Sequence, residues 1–347
     1  MSEEKFTGNR GYSKEKLRKE EPTFFHRPPI IFQLEQIGIG MSVTCLPAIL
    51  SIKERYQDIF IKCHEHHIPI LKYFIDENNL YPYYDSNTDN LETDPIFVGS
   101  MAKQSISYNS SVTIHAPHQC HPVDHYFHLL DGRINVPIEE RNYPKFPVNE
   151  IDLSRFDLPK KFVAIGPGTT KSICQLPAHT INDIITYCKD KGYEVVILGG
   201  KYFFNLQIGE KKMSIGPQFH EDLDLSGCID LIHKTTLDEC TAILDKAHCY
   251  IGPEGGLMQF CGMTDTPMVI GINGWTPEMR MPYRHNELGW EAYPVMPDET
   301  LKCRFCIENT IHARTVNIMM QCLYDDFKCV HEHMTFKNFK PQLDKVL

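Results

Sequence analysis

Residues 249–271 read CYIGPEGGLMQFCGMTDTPMVIG, and the meaning of this stretch decides the fold. A short apolar run, Cys249-Tyr250-Ile251, stops at Gly252-Pro253-Glu254-Gly255-Gly256, and a new apolar-rich segment begins at Leu257. The pattern predicts a strand, a tight turn and the start of a helix. A helix start leaves its first N–H groups without intrahelical partners, and the helix dipole favours negative charge beside them. The guest implied is an anion, most simply a phosphate. The competing reading is a βα turn whose glycines only permit close packing.

Outward from this stretch the same alternation repeats. Met268-Val269-Ile270-Gly271 is a further strand, and its loop carries Asn273-Gly274-Trp275-Thr276-Pro277. On the other side a helix through Leu237, Cys240, Ile243, Leu244 and Ala247 leads into Cys249, and Glu194–Leu198 is a strand that turns at Gly199-Gly200. Ile181, Ile184, Ile185 and Cys188 follow helical spacing and stop before Gly192. Phe162–Ile165 reads as a buried strand turning at Gly166-Pro167-Gly168-Thr169-Thr170-Lys171. Residues 137–160, rich in proline and charge, read as a connection between domains. Before it, a strand at Ile30–Leu34 runs into Gly38-Ile39-Gly40 and a helical face through Val43, Leu46, Ile49, Leu50 and Tyr56. A strand at Ile59–Ile61, a helix containing Ile70, Leu71, Tyr73 and Phe74, and a strand at Ile96–Val98 follow. Strands alternating with helices predict parallel, doubly wound sheets.

A chain of 347 residues is long for one core and points to two domains. Residues 1–28 read as a flexible arm, 29–155 as a first Rossmann-like domain, 156–300 as a second, and 301–347 as a cysteine-containing helical segment packing back on the body. No apolar run reaches 18 residues and the N-terminus has no signal-type segment, so the expectation is a cytoplasmic protein, at most peripheral to the inner membrane, with no stable membrane insertion. The 13 cysteines, an odd number in apolar contexts, fit reduced thiols. A net charge of -10 argues against a broad nucleic-acid-binding face.

Residues 115–131, HAPHQCHPVDHYFHLLD, hold His115, His118, His121, His125 and His128. Imidazole is a common metal ligand, but the spacing crosses a proline and a helix start and brings no matched carboxylate. Contact with a substrate or acceptor and satisfied structural histidines remain the other two readings.

In order along the chain, Gly168-Thr169-Thr170 with Pro177, the strand VVILGG at 195–200, the segment LIHKTTLDE at 231–239 and IGPEGGLMQ at 251–259 resemble the heptosyltransferase family, glycosyltransferase family 9. The resemblance covers roughly residues 30–345, more closely in the second half. It implies a GT-B arrangement, two Rossmann-like domains facing across a cleft that binds a nucleotide-sugar. It also implies donor contacts from Gly168, Thr169, Thr170, Glu254, Gly255, Gly256, Leu257 and Gln259, the last standing where the family usually has histidine. In the first half, Gly40 precedes Pro47-Ala48 at the family's spacing, which puts Gly40, Met41 and Ser42 on the acceptor side. Two departures matter. Met41 occupies the place of the aspartate that deprotonates the acceptor, and Cys174 occupies that of a lysine on the donor phosphates. Lys171 is a cation close enough in sequence to reach the same charge.

The resemblance implies inverting transfer to a hydroxyl, and no Asp-x-Asp motif in a plausible cleft loop suggests a divalent metal, so catalysis is expected to need no cofactor. With Met41 unable to accept a proton, Asp124, the neighbouring His121 and Glu35 are the candidate bases, with His115, His118 and His125 as acceptor contacts. Cys303, Cys306, Cys322 and Cys329 form a C-x2-C…C…C pattern that four thiolates of a structural zinc site would produce, with buried free thiols as the alternative. Similar cysteine sets occur in some members of the family. The acceptor expected is a surface glycan or lipopolysaccharide. The altered position 41 also leaves room for a phage-type enzyme acting on hydroxymethylated DNA, with Trp275, Arg280 and Arg284 along a channel, or for a nucleotide-sugar-binding protein without catalysis.

Overall fold

The computed structural model describes residues 30–34, 38–53, 59–82, 96–98, 121–133, 136–170, 172–200, 204–208, 211–215, 222–283, 291–309, 322, 324 and 326–347. The proposed N-terminal arm lies outside them.

The first half contains β1 (Ile30–Leu34), α1 (Met41–Thr44), α2 (Leu46–Lys53), β2 (Ile59–Cys63), α3 (Ile68–Leu71), β3 (Leu80–Pro82) and β4 (Ile96–Val98). The strands pair in parallel in the order β3-β2-β1-β4, with Ile30 opposite both Ile59 and Ile96. The helical face expected from Val43 onward is interrupted between α1 and α2. Pro47 has no N–H for the Val43 carbonyl, so the ladder cannot run through. The helix expected through Phe74 stops at Leu71. Two more helices, α4 (Pro122–Asp131) and α5 (Ile138–Arg141), pack against α2. A proline in the first turn of α4 and left-handed Gly132 (φ 69°) after it set its limits.

The second half runs β5 (Phe162–Ile165), α6 (Ala178–Asp190), β6 (Glu194–Ile197), an antiparallel hairpin of β7 (Phe204–Ile208) and β8 (Lys211–Ile215), and β9 (Ile229–Asp230). It continues through α7 (Leu237–Lys246), β10 (Tyr250–Pro253), α8 (Gly256–Cys261), β11 (Met268–Gly271), α9 (Pro277–Arg280), β12 (Ala292–Val295), α10 (Cys306–Asn309), α11 (Lys328–His331) and α12 (Phe336–Leu343). Its six-stranded parallel sheet has the order β12-β11-β10-β5-β6-β9. Numbered from β5, that is the 3-2-1-4-5-6 order of doubly wound nucleotide-binding sheets, whose direction reverses between the first and fourth strands. The reversal falls between β5 and β10. Ligands of such sheets bind outside the carboxyl ends of the strands at that point, here the turns beginning at Gly166 and Gly252. In the smaller sheet the order reverses beside β1, whose carboxyl end leads to Gly38–Met41.

The two faces of the large sheet are covered differently. Ile181, Ile184, Ile185 and Cys188 of α6 bury themselves with Val195, Ile197 and the C-terminal Phe339 and Leu343. α12 thus packs on this face, and burying a side chain such as Phe339 contributes about 1.5–3 kcal/mol. On the opposite face Leu237, Cys240, Leu244, Tyr250 and Met268 join a core that continues into the first half through Phe32, Leu46, Tyr126 and Phe127. The sheets therefore share apolar packing across the cleft, reinforced where the Tyr73 hydroxyl donates to Asp238 (3.0 Å). No helix among the described residues is long and apolar enough to cross a membrane.

Candidate active site

The carboxyl-end turns of the two sheets line one cavity. Gly38, Ile39, Gly40 and Met41 come from the first half. Gly168, Thr169 and Thr170 follow β5, Gly199 and Gly200 follow β6, Thr235, Leu237 and Cys240 come from the start of α7, and Glu254, Gly255, Gly256, Leu257 and Gln259 surround the start of α8. Arg280, the last residue of α9, completes it. The residues expected on the donor side are thus gathered in one place, except Lys171, which lies outside the described residues.

The glycines at the seam serve contact between the halves as well as the turn. A Cβ on Gly256 would lie 2.4 Å from Cγ1 of Ile39, and one on Gly40 would lie 2.9 Å from Cγ of Gln259. Both distances are shorter than real side chains tolerate, so the two segments meet this closely only as glycine. Gln259 locks the same seam. Its Oε1 accepts from the buried Tyr143 hydroxyl (2.5 Å) and its Nε2 donates to the Arg280 carbonyl (3.1 Å).

Glu254 is almost fully buried at the cavity wall. Its Oε2 accepts from the Cys174 thiol at 3.0 Å, and its Oε1 is 3.6 Å from Nε of Arg280. The Arg280 guanidinium lies 3.8 Å over the Trp275 ring. Thr169 leans its hydroxyl on the Glu254 carbonyl (3.5 Å).

On the acceptor side Met41 sits at the cavity with its sulfur 3.7 Å from the Tyr126 hydroxyl and 3.8 Å from that of Thr44. Ser42 is fully buried and its hydroxyl donates to the Ile39 carbonyl (2.6 Å), which makes it a brace for the turn. His121 is buried at the start of α4: Nδ1 accepts the Val123 N–H (3.2 Å), so the proton resides on Nε2, which donates to the Met281 carbonyl (2.9 Å). Burial pushes its pKa down to about 3, with Arg280 and Arg141 adding repulsion against the Met281 bond. Both nitrogens being committed, His121 is a cap and inter-segment tie with no lone pair left to take a substrate proton. Asp124 is half-buried one turn on, accepting from the Tyr283 hydroxyl (3.0 Å) and pairing with Arg141 (3.6 Å). Burial raises its pKa, opposed by Tyr283 and Arg141. Neither His121 nor Asp124 belongs to the cavity lining. His125 is buried against Tyr126, while Glu35, His115 and His118 lie outside the described residues.

The cysteines at 303, 306 and 329 lie beside Cys322. Burial, reinforced by the neighbouring thiols, pushes Cys306 up to about 11 and Cys329 up to about 12, and raises Cys303. The Cys322 sulfur accepts backbone N–H groups from Tyr324 and Phe327, both at 3.4 Å. Among the described residues no group of three or more His, Cys, Asp or Glu side chains forms a ready-made metal shell. Cys306 and Cys329 share an apolar cluster with Cys174 and Trp275, so this segment backs directly onto the Glu254–Arg280 wall.

Arg280, Thr235, Cys240 and the Gly199-Gly200 turn line the cavity without having been expected there from the sequence. The last was findable, since it ends a strand adjacent to the switch point. Arg280, expected with Trp275 along a nucleic-acid channel, lines the cavity, and Trp275 is buried beneath its guanidinium. Arg284 lies outside the described residues.

Comparison with known proteins agrees with this geometry. The model of glycosyltransferase family 9 (heptosyltransferase) matches residues 95–305. No curated protein matches the sequence significantly. Among solved structures, the bacterial iron-containing dodecameric glycosyltransferase TibC from enterotoxigenic E. coli H10407 superposes with a TM-score of 0.63 at 15% identity, covering 92% of this chain and 76% of that one. A second TibC structure, described as a heptosyltransferase in complex with ADP-D-beta-D-heptose, gives 0.63 at 14% identity with the same coverage. The E. coli ADP-heptose lps heptosyltransferase II gives 0.56 at 14% identity, covering 82% and 98%. At these identities the likeness is one of fold.

Proposed function

The chain belongs to glycosyltransferase family 9, and from that premise we propose that it moves a sugar from a nucleoside-diphosphate donor to a hydroxyl acceptor, with inversion and without a divalent metal at the donor phosphates. One observation carries this reading: the Gly38–Met41 segment of the first sheet and the Thr169–Thr170 and Glu254–Gly256 turns of the second line the same cavity, at the points where both strand orders reverse. The donor diphosphate sits against the second-half turns, where Thr169 and Thr170 supply hydroxyls, and the acceptor enters from the Met41 side. The acceptor oxygen forms the new bond to the anomeric carbon from the face opposite the diphosphate. The carbon–oxygen bond to the diphosphate breaks with its electron pair leaving on the nucleotide. Preorganised donors stabilise that developing charge.

The acceptor proton goes to a carboxylate. Asp124, which stands outside the cavity lining and is paired with Tyr283 and Arg141, is the candidate we carry for this role, and it serves only where the acceptor reaches it from the Met41 side. The acceptor class is a glycan or lipopolysaccharide hydroxyl. With Arg280 lining the cavity and stacked on buried Trp275, nothing observed favours a nucleic-acid channel.

Among the described residues the four C-terminal thiols form no ready-made metal shell, so a metal there is supported only by their spacing in sequence and their proximity. They come from segments brought side by side, Cys322 already accepts two backbone N–H bonds of the kind that support thiolate ligands, and non-glycine residues beside the cluster, Phe305 (φ 55°) and Phe327 (φ 45°), hold left-handed turns. Cys303, Cys306, Cys322 and Cys329 are the residues that would hold zinc or iron, the latter being the metal named for TibC. Bound there, the ion would cross-link the 301–347 segment.

A second reading, a nucleotide-sugar-binding protein without catalysis, is favoured by one observation: Met41 lines the cavity and carries no proton acceptor. Release of nucleoside diphosphate from a panel of nucleotide-sugars, with and without lipopolysaccharide acceptors, separates the two. Donor-dependent release establishes transfer or hydrolysis, and binding without release at any pH establishes the second reading.

A further inference from the structure

We infer that Arg280 is the cation that holds the donor diphosphate, and that it does so by leaving Glu254; this rests on the donor reading given above. Among the described residues lining the cavity, Arg280 is the only cationic side chain. Its partner there, Glu254, is a buried carboxylate whose other oxygen is held by the Cys174 thiol, a neutral donor, so the wall beside Arg280 supplies no second cation among the described residues. At 3.6 Å the Arg280–Glu254 pair is longer than a charge-assisted hydrogen bond of about 2.7–2.9 Å, which leaves the guanidinium fork available for a planar pair of phosphate oxygens.

The surroundings keep that fork in place whichever anion it faces. The guanidinium is stacked 3.8 Å over Trp275, and the Arg280 carbonyl is fixed by the Gln259 amide at 3.1 Å. Trp275 is itself buried in the cluster that contains Cys174 and Cys306. The side chain is only 15% exposed, so its charge acts with little screening. Entry of a diphosphate trades one anionic partner of Arg280 for another, while Glu254 keeps the Cys174 thiol. A guanidinium suits this exchange better than an ammonium, because the stacked plane is preorganised for two parallel bonds.

Calorimetric titration of wild type, R280Q and R280K tests this, using the nucleoside diphosphate that binds wild type best among ADP, GDP, UDP and CDP, together with the matching nucleoside in competition. The loss of a bidentate charge-assisted contact corresponds to about a tenfold to hundredfold weaker Kd. The expected result is that loss for the diphosphate in R280Q, a smaller loss in R280K, and nucleoside affinity unchanged in both. Diphosphate affinity in R280Q equal to wild type overturns the inference and leaves the donor reading standing. Equal losses for nucleoside and diphosphate in both variants also overturn it, since the arginine would then shape the pocket without meeting phosphate. Wild type that binds none of the four overturns the donor reading and the inference with it.

Discussion

Acidification should destabilise this protein through His121, and the size of the effect follows from its burial. The imidazole has its ordinary value of 6.5 in the unfolded chain and about 3 in the folded one. Between those values the unfolded state binds a proton that the native state refuses, so unfolding takes up protons and stability falls with falling pH. Above 6.5 neither state is charged and the contribution is flat; below about 3 both are charged and it levels off. At pH 5.0, 1.5 units below the unfolded value, the cost is about 2 kcal/mol, taking 1.36 kcal/mol per unit. His121→Asn isolates the term, because asparagine retains the capping oxygen for Val123 N–H and an N–H for the Met281 carbonyl but does not titrate. Urea unfolding of both proteins at pH 8.0 and 5.0 reads it directly. H121N should be somewhat less stable than wild type at pH 8.0 through lost packing, and should lose about 2 kcal/mol less on moving to pH 5.0. Equal losses would mean that His121 takes up its proton in the folded state, and the cap geometry, with Nδ1 as acceptor, would be wrong.

Gly256→Ala should cost about 1–3 kcal/mol by driving its Cβ into Ile39, and Ile39→Ala in the same chain should recover much of it, a non-additivity that thermal unfolding of the four proteins would reveal; additive losses would contradict the seam described here. Asp124→Asn should lower transfer about a hundredfold or more while the donor Kd stays within about twofold, and unchanged turnover would remove Asp124 from the mechanism. Protein purified without chelator should carry one zinc or iron per chain by elemental analysis, with Cys306→Ser reducing the content and the unfolding midpoint together; wild type free of metal after refolding with either ion would show the thiols to be ordinary buried cysteines.

The long-period features of this fold are legible in the sequence for simple reasons. The spacing of Ile181, Ile184, Ile185 and Cys188 has one solution, a helix whose apolar face meets a sheet, and Phe162–Ile165 and Met268–Gly271 are apolar runs too short for anything but buried strands. Elements that exist only through their partners are not legible. β3 and β9 are three and two residues long, and β12 draws its stability from β11, so nothing local announces them. The same division holds at the site. The Gly-rich turns after β5 and β10 could be found because glycine at a strand's end has a structural meaning. Arg280 could not, because it enters the cavity from a four-residue helix whose placement depends on Gln259, Trp275 and Glu254, residues 5 to 26 positions away. His121 looked like a base because its type and neighbours suggest one. Its two partners are backbone atoms, and one of them, on Met281, is 160 residues distant, which no reading of nearby side chains would supply.

We read the cavity between the two sheets as a nucleotide-sugar site. Thermal unfolding of the wild-type chain against a panel of nucleoside-diphosphate sugars tests it most directly, because a ligand at 100 times its Kd stabilises the native state by about 2.7 kcal/mol. At least one donor of the panel should raise the midpoint by several degrees in a concentration-dependent way, and that donor should be the one whose diphosphate is released when an acceptor is added. No shift with any of them at millimolar concentration, in protein whose unfolding is cooperative, would contradict the claim.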